Sequence, residues 1–487
     1  MPGVVISTSV RTGPSTATVR ESSQLFVVGL AERGPAAEPV VVESLSAFED
    51  IFGGYQSYAY LHPTLETFFE EGGTRAIVSR VVGAAATSGS LTLNSASAAP
   101  ALTLTANGAG AWSSDVKAEV TVPSAGKFKL NLYLADAALP FYTTGVVTST
   151  AQAAGRVNLS AIATRYVTAT VVSSTLLPIA VEKTALTAGA DDRLAVVVGD
   201  YVTALEAFGD ALGTGAVTCP ESSHDTVRDG LVAHANAYSR VAILHAGETA
   251  SAADVKTSAL EVQALDGAEH AGMYYPWVEV PTATPGVTRF VPPVGYVAGK
   301  RAAAHNQTGP HLPAAGLVSV AKFVTGVKTA IDKTVGDDLD DNFVNAIRLI
   351  QNSIRIYGAR SCSSDTDNFR YITQQDVVNT IVTECYRSIE DVVFSTIDGR
   401  NTVFSNIESR LISILSVMRG IGALYPAFDL SGRQLDDGYT VKCDTTLNPT
   451  AQLATGLVKA KVGVRVSSVG DKIEIDIVKS NLTSSVV

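Results

Sequence analysis

The sequence predicts a multi-domain α/β fold: an α/β core with an inserted, mainly-β domain and extended β arms at both ends. Three observations predict it. Strand-like and helix-like runs alternate between Leu25 and Val82, and the same rhythm resumes after Gly189. The stretch between them is poor in charge and alternates with period two, and the two ends of the chain carry short β-branched runs without a helical period. At roughly 150 residues per domain, 487 residues suggest about three domains.

Residues 1–23 mix Val, Thr and Ser with breaks at Pro2-Gly3 and Gly13-Pro14, and read as an N-terminal arm. The first part of the α/β core spans 24–83. The apolar run 25–31 reads as a buried strand stopped by Gly34-Pro35. Pro63 suits a first helical turn, Leu65, Phe68 and Phe69 share a face, and Gly72-Gly73 ends the helix before a strand at 76–82. The segment 84–187 holds only 10 Asp, Glu, Lys and Arg among its 104 residues, and 102–105, 118–122 and 128–132 alternate as half-buried strands do, so it reads as an inserted β domain rather than a linker.

The core continues over 188–335, with helices expected at 201–212 and 224–237 and strands at 216–219 and 240–244. A C-terminal α+β domain is assigned to 336–470. Asp337, Asp338, Asp340 and Asp341 are expected at the start of a helix whose apolar positions are Leu339, Phe343, Ile347 and Ile350. Helices follow at 374–391 and 401–419, the latter with Phe404, Ile407, Leu411, Ile414, Leu415 and Met418 on one stripe. Residues 471–487 form the C-terminal arm. Residues 462–466 and 473–477 alternate strictly and are expected to form two strands joined by a turn. A strand near a terminus has a free backbone edge and pairs with its own sheet or with another molecule. Val4, Val5 and Ile6 at one end, and Ile473, Ile475 and Ile477 at the other, are therefore the expected inter-subunit β arms.

Composition narrows the function. A net charge of −11 argues against a protein that coats nucleic acid, and the absence of both a long apolar run and a secretory start leads to the expectation of a soluble chain made in cytosol. Cys219, Cys362, Cys385 and Cys443 lie far apart and read as small buried hydrophobes. Gly295 to Arg301 is one residue short of a phosphate loop and has Arg301 where a magnesium-binding hydroxyl belongs. The acidic run at 337–342 lacks the glycine and final Glu of a calcium loop, and the seven histidines show no zinc-protease spacing. No catalytic, cofactor or metal site is assigned. Tyr274, Tyr275 and Trp277 read as a strand ending in a packed Trp.

The residues carry a resemblance over nearly the whole chain. Pro2-Gly3-Val4, Val27 to Pro35, Phe48 to Gly54, Phe68 to Gly73 and Val78 to Val81 follow, in order and spacing, the opening of the contractile-tail sheath family of bacteriophages and related phage-tail-like injection particles. Gly110-Ala111-Trp112, Leu186 to Asp191, Tyr275-Pro276-Trp277, Val291-Pro292-Pro293, Val297-Ala298-Gly299, Tyr357 to Ser361, Tyr371-Ile372, Val393-Phe394, Gly422-Ala423-Leu424, Val441 to Asp444 and Asn448 continue the series. Ser113-Ser114 replaces a Gly-Asn pair, Tyr357 stands for a Trp, and Gln374-Gln375 stands where two arginines are common.

The resemblance implies a sheath of stacked hexameric rings around a tail tube, with baseplate and tail-terminator partners, in a virion tail assembled in the bacterial host cytoplasm. It implies a non-enzymatic structural subunit without cofactor, without direct nucleic-acid contact and without membrane insertion. Its terminal arms would complete the sheets of neighbouring copies, and contraction would drive the tube through a cell envelope. Lys459 and Lys461 are candidates for facing the tube. A headless tailocin or injection particle is an alternative setting, and a soluble α/β enzyme with an inserted β domain is the alternative from a different class.

Overall fold

A computed structural model describes residues 20–472. An eight-stranded sheet forms the body, in the order Ser353–Tyr357, Val344–Ile350, Ala271–Tyr275, Val241–His245, Ala216–Thr218, Leu25–Gly29, Ala76–Arg80, Val40–Val42. The inner six strands are parallel, and each outermost strand pairs antiparallel with its neighbour. Parallel strands are buried on both faces, which is why 25–29 is apolar without interruption. Its side chains still alternate between two cores. Phe26 and Val28 face the helices Val198–Leu205, Asp225–Ala237 and Ala252–Gln263, whereas Leu25 and Val27 face Leu45–Phe52, Leu61–Glu70 and Val294–Gln307.

The helix Leu61–Glu70 ends where the glycine pair stands. Gly73 N donates to Phe68 O at 2.8 Å, and Gly72 has φ +110° with Ala303 only 2.9 Å from where a Cβ would project, so the turn needs glycine for conformation and for space. Gly295 to Arg301 lies inside the helix Val294–Gln307 rather than in a loop. Trp277 is buried and donates to Ala246 O at 2.8 Å. Cys219, Cys362 and Cys443 are buried and Cys385 is half-buried.

Between the strands Ala76–Arg80 and Ala216–Thr218 the chain builds a separate core from two antiparallel sheets and the helix Thr150–Asn158. The three alternating stretches lie in the strands Pro100–Ala106, Val116–Ser124 and Lys127–Leu134, with Leu102, Leu104, Ala118, Val120, Phe128, Leu130 and Leu132 turned inward. Arg80 ties this unit to the body. Its guanidinium is fully buried and donates to Ala31 O (3.0 Å), Gly34 O (2.9 Å), Glu32 O (3.1 Å) and, within the insert, Ala109 O (2.9 Å). Burial pulls its pKa down to about 10, still far above neutrality, so the cation persists in a cage of carbonyls.

The structure differs from the sequence reading in three places. The helix at the acidic run is Lys333–Asp341, capped by Asp332, so Asp337 to Asp341 occupy its C-terminal half rather than its start. Phe343 has φ +64°, and Ile347 and Ile350 belong to the strand Val344–Ile350 on the far side of that break. Apolar spacing of three and four is ambiguous in so short a run, and pairing with Ala271–Tyr275 decides it. The acids, opposed to the helix dipole, are offset by Lys333–Asp337, Lys256–Asp338 and Arg360–Asp340. The sheet thus runs past position 335, where the α/β core was expected to end. The expected helix at 201–212 is the helix Val198–Leu205 followed by a separate turn at Asp210–Leu212. On one edge the strand Lys461–Val464 pairs with Tyr439–Lys442, which the sequence reading did not anticipate. Residues 473–477, its expected partner, lie outside the described residues.

Replacing Arg80 by Met leaves buried carbonyls without donors. We expect a loss of about 3 kcal/mol in urea unfolding, each orphaned buried acceptor costing roughly 1–3 kcal/mol. A variant as stable as the parent would show that the insert is held by other contacts.

Candidate functional site

Among the described residues, the two most exposed apolar side chains and an unextended sheet occur together in the C-terminal unit. The helices Ile372–Ile389 and Thr402–Gly420 pack through Val377, Ile381, Leu415 and Met418, and a second cluster joins Phe404, Ile407 and Leu411 to Cys443. The stripe read from 401–419 is therefore the inner face of its helix, except that Ile414 is only half-buried. On these helices lies a two-stranded ribbon, Tyr439–Lys442 against Lys461–Val464, with Val441 and Val462 turned toward them. Among the described residues this sheet has two strands only.

Beside the ribbon an open groove of about 590 Å³ runs between Phe369, Gln374 and Val378 on one wall and Tyr439, Thr440 and Val464 on the other. Phe394 and Leu430 are exposed at 102% and 110%, and Tyr386, Val417 and Leu435 stand out from the same unit. An isolated two-stranded ribbon is marginal without further strands or packing, and exposed large apolar side chains gathered on one unit mark a contact surface.

The roots of both arms are fastened beside this unit. At the N-terminal root, Arg20 N donates to Asn306 Oδ1 (3.0 Å), Glu21 pairs with Arg387 (2.5 Å) and Gln24 Nε2 donates to Leu212 O and Thr214 O (2.7 and 2.9 Å). Ser22 O accepts from Arg301 Nη1 at 2.6 Å and faces His305 Nδ1 at 3.2 Å. Arg301 also forms a two-pronged ion pair with Asp376, on the helix Ile372–Ile389, and His305 Nε2 lies 3.5 Å from the same carboxylate. One buried cluster therefore joins arm root, body and C-terminal unit. Burial opposes ionisation of Asp376, but Arg301 and His305 outweigh it and hold the carboxyl below its ordinary range.

A second polar contact supports the same helix. Gln375 Nε2 lies 2.9 Å from His270 Nε2 and donates to Asn379 Oδ1 at 2.9 Å, while His270 Nδ1 faces Arg240 O at 2.8 Å. The carbonyl fixes the proton on Nδ1 and leaves Nε2 to accept from the amide. This accounts for glutamine at 375: it meets a neutral imidazole. At the C-terminal root, Asp471 lies 3.6 Å from Arg370. Burial raises its pKa, and the Tyr371 hydroxyl with Arg370 more than reverses this.

The sequence-derived contact residues fare unequally. Val4, Val5, Ile6, Ile473, Ile475 and Ile477 lie outside the described residues. Lys459 and Lys461 are exposed. Lys459 is pinned by its backbone to Asn448, N to Oδ1 at 2.6 Å and O to Nδ2 at 2.8 Å, which leaves its ammonium to solvent. Lys461 sits directly across the ribbon from Lys442, whose ammonium pairs with Asp444 at 3.5 Å. Sequence reasoning missed Ser22, Arg301, His305, Asp376 and Gln375. The available signal was Lys300-Arg301 standing amid small residues of a helix, too polar for a helix buried on nearly every side unless paired.

The point where strand order reverses, between Leu25–Gly29 and Ala216–Thr218, is where open α/β sheets commonly bind ligands. Here Glu221 fills it, accepting from Tyr60 N, Leu61 N and Leu30 N at 2.9, 3.0 and 3.3 Å, with burial pushing its pKa up to about 7.

The sheet order, the inserted β unit and the C-terminal unit with its open ribbon together define the fold. The fold is that of contractile tail sheaths. The sheath tail protein from Listeria innocua superposes with a TM-score of 0.62 over 88% of this chain and 90% of its own, at 16% identity. The sheath tail protein from Desulfitobacterium hafniense gives 0.56 over 91% and 94%, also at 16% identity. The contracted sheath complex of the extracellular contractile injection system PVC gives 0.56 over 99% and 98%, at 13% identity. No protein-family model matches the sequence, and no curated protein does.

The joint should weaken in acid. Asp376 has its pKa depressed on folding, so its contribution is complete above the ordinary value of 3.8 and is lost as pH falls through the folded value. His270 and His305 act higher up: burial depresses both below 6.5, so under that pH the unfolded chain takes protons that the folded chain refuses. Between pH 7 and pH 5 these imidazoles lower the melting temperature, while Glu221, which the folded chain protonates first, raises it. We expect His270→Gln to remove part of the downward contribution, so that its melting temperature falls less over the interval than the parent's; an identical pH dependence would contradict a neutral buried imidazole at 270.

Proposed function

We propose that this chain is the structural subunit of a contractile tail sheath. It polymerises as stacked hexameric rings around a tail tube and contracts to drive the tube through a target envelope. The observation that carries the reading is the open ribbon and its groove beside two fastened arm roots, on a fold shared with sheath proteins. An arm laid along the ribbon adds a strand, each exchanged backbone hydrogen bond contributing about 0.5–1.5 kcal/mol net. Because the arm and the ribbon it completes are different surfaces, the contact is heterologous and propagates as an open helix.

The mechanism is mechanical rather than enzymatic. Subunits laid down around the tube are held in an extended, kinetically trapped lattice. A signal from the baseplate lets them slide and rotate into a packing of lower free energy, and small differences per subunit add over many copies. Tube, baseplate and terminator proteins are the partners, and assembly takes place in the bacterial cytoplasm. Likeness to the PVC sheath and to the contracted helical sheath of the anti-feeding prophage gives a headless injection particle equal standing with a virion as the setting.

Negative-stain microscopy of the purified protein tests the class, since sheath subunits form hollow tubes whereas an enzyme or adhesin stays a particle of fixed size. Deleting residues 1–10, or replacing Ile475 and Ile477 by Asp, is expected to leave a folded monomer by circular dichroism and to abolish tubes. Unchanged tubes in both variants would remove arm exchange.

Lys459 and Lys461, with Lys442 beside them, are proposed to face an acidic tube wall. Reversing both by Lys459→Glu and Lys461→Glu is expected to weaken co-sedimentation with tube protein by about tenfold at low salt, with less effect at high salt. Binding unchanged at low salt would exclude that contact.

A further inference from the structure

Two exposed apolar tips stand at opposite ends of the C-terminal helix pair. The helices Ile372–Ile389 and Thr402–Gly420 run antiparallel, since Val377 and Ile381 meet Leu415 and Met418 while Cys385 and Ile389 meet Phe404, Ile407 and Leu411. At one end the chain leaves Gly420 and builds a finger over 427–435. Leu435 N donates to Ala427 O (2.7 Å), Asp429 N donates to Arg433 O (2.9 Å), and Phe428 is bridged to Gln434. Asp429 Oδ1 closes the turn by accepting from Ser431 N and Arg433 N (2.9 and 2.8 Å). Asp436 Oδ1 closes the base by accepting from Ala427 N and Gly438 N (3.1 and 2.9 Å). Leu430 at the turn, and Phe428 and Leu435 on the two faces, are all exposed. A finger held by its own hydrogen bonds loses little freedom on docking, and its apolar side chains gain by it.

At the other end, about 27 Å away for a helix of 18 residues, the loop after Ile389 presents Val393 and Phe394. Val392 is buried with Phe404 and Cys443, whereas Phe394, at φ +68°, turns out of that cluster into solvent. A bulky residue rarely adopts that backbone region, and such conformations gather at contact sites. Val382 and Tyr386, one turn apart on the helix leading to this loop, are exposed as well. The charges at the two tips are complementary. On the finger Arg465 takes Asp436 and Arg419 takes Asp437, which leaves Arg433 without an ion pair among the described residues. At the loop Arg410 takes Asp391, and Glu390 is left without a cation at ion-pair distance among those residues.

We propose that the finger 427–435 of one subunit docks against Val393 and Phe394 of a second copy of this chain, with Arg433 facing Glu390. The distance between the tips prevents the contact within one molecule. Because the joined surfaces are different, it runs head to tail and repeats without closing. It joins body to body and needs neither arm, so it lies beyond the arm exchange proposed above and does not rest on the sheath reading.

Disulfide trapping of the full chain tests it, with cysteines placed beside the anchors rather than at them. Subunits carrying Ser395→Cys are mixed with subunits carrying Ser431→Cys and oxidised at high concentration, with the parent chain as control. Mixed dimers are expected in excess of the parent's background and of homodimers. Adding Leu430→Asp to the second variant is expected to cut their yield about tenfold, the scale of losing a central apolar anchor. Adding Glu390→Lys to the first is expected to cut it about threefold, the scale of an exposed ion pair, and Arg433→Glu in the second to restore it. A yield no higher than the parent's overturns the proposal. So do homodimers of either variant in place of mixed ones, and Ser395→Cys subunits that, offered both, link to tail-tube protein instead of the finger. Mixed dimers from a chain that never forms tubes would sink the sheath reading and leave this contact standing; tubes without mixed dimers would do the reverse.

Discussion

The Arg301–Asp376 pair is the contact on which the arrangement of this molecule depends. It is buried, and an ion pair there stabilises little beyond what its own desolvation costs. What it supplies is uniqueness of geometry. The carboxylate sits on the helix that carries the C-terminal unit, the guanidinium on a helix of the body, and the same guanidinium holds the carbonyl of Ser22 where the N-terminal arm begins. Removing either ion leaves the other buried and uncompensated, so no nearby packing of helix against body competes. An apolar contact of equal area would tolerate sliding; this one does not.

That rigidity contrasts with the surface a few residues away. The ribbon Tyr439–Lys442 and Lys461–Val464 is only half-buried, borders an open groove, and shares its unit with Phe394 and Leu430 fully in solvent. The molecule thus combines fixed roots with unsatisfied edges. Ser22 is joined to Arg301 on the body, and Asp376 joins the same guanidinium to the helix beneath the ribbon, so the N-terminal root and the C-terminal unit are coupled through one side chain.

How much of this the sequence disclosed follows from which forces have a local signature. The strand at 25–29, the glycine-stopped helix at 61–70, the alternation of the insert and the stripe of 402–420 follow burial periodicities of two and 3.6, which a single chain displays. The acidic helix was misplaced because Phe343 and Ile347 fit a helical spacing equally well, and only the neighbouring strand 271–275 shows that Val344 onward is sheet. The pairing of 461–464 with 439–442 was not legible for the same reason: alternation identifies a strand but does not say which strand it meets. The joint was illegible because its members, Ser22, Arg301, His305 and Asp376, are separated by up to hundreds of positions and none belongs to a motif. The resemblance carried the order of blocks; it carried no contact.

Identities of 13–16% with sheath structures fit this division. Burial patterns survive extensive exchange among apolar residues of similar volume, so the body persists while its sequence drifts. Gln375 stands where arginine is common in the family resembled, and here it meets His270 as a neutral acceptor, with Asn379 and the Arg240 carbonyl completing the set. An arginine at 375 would bring a cation against that buried imidazole nitrogen, whose ring already keeps its proton on Nδ1 facing the backbone carbonyl of Arg240. The neutral amide and the neutral imidazole are therefore one solution to a single electrostatic constraint. A chain that changes one of them must change the other to keep its C-terminal unit in place.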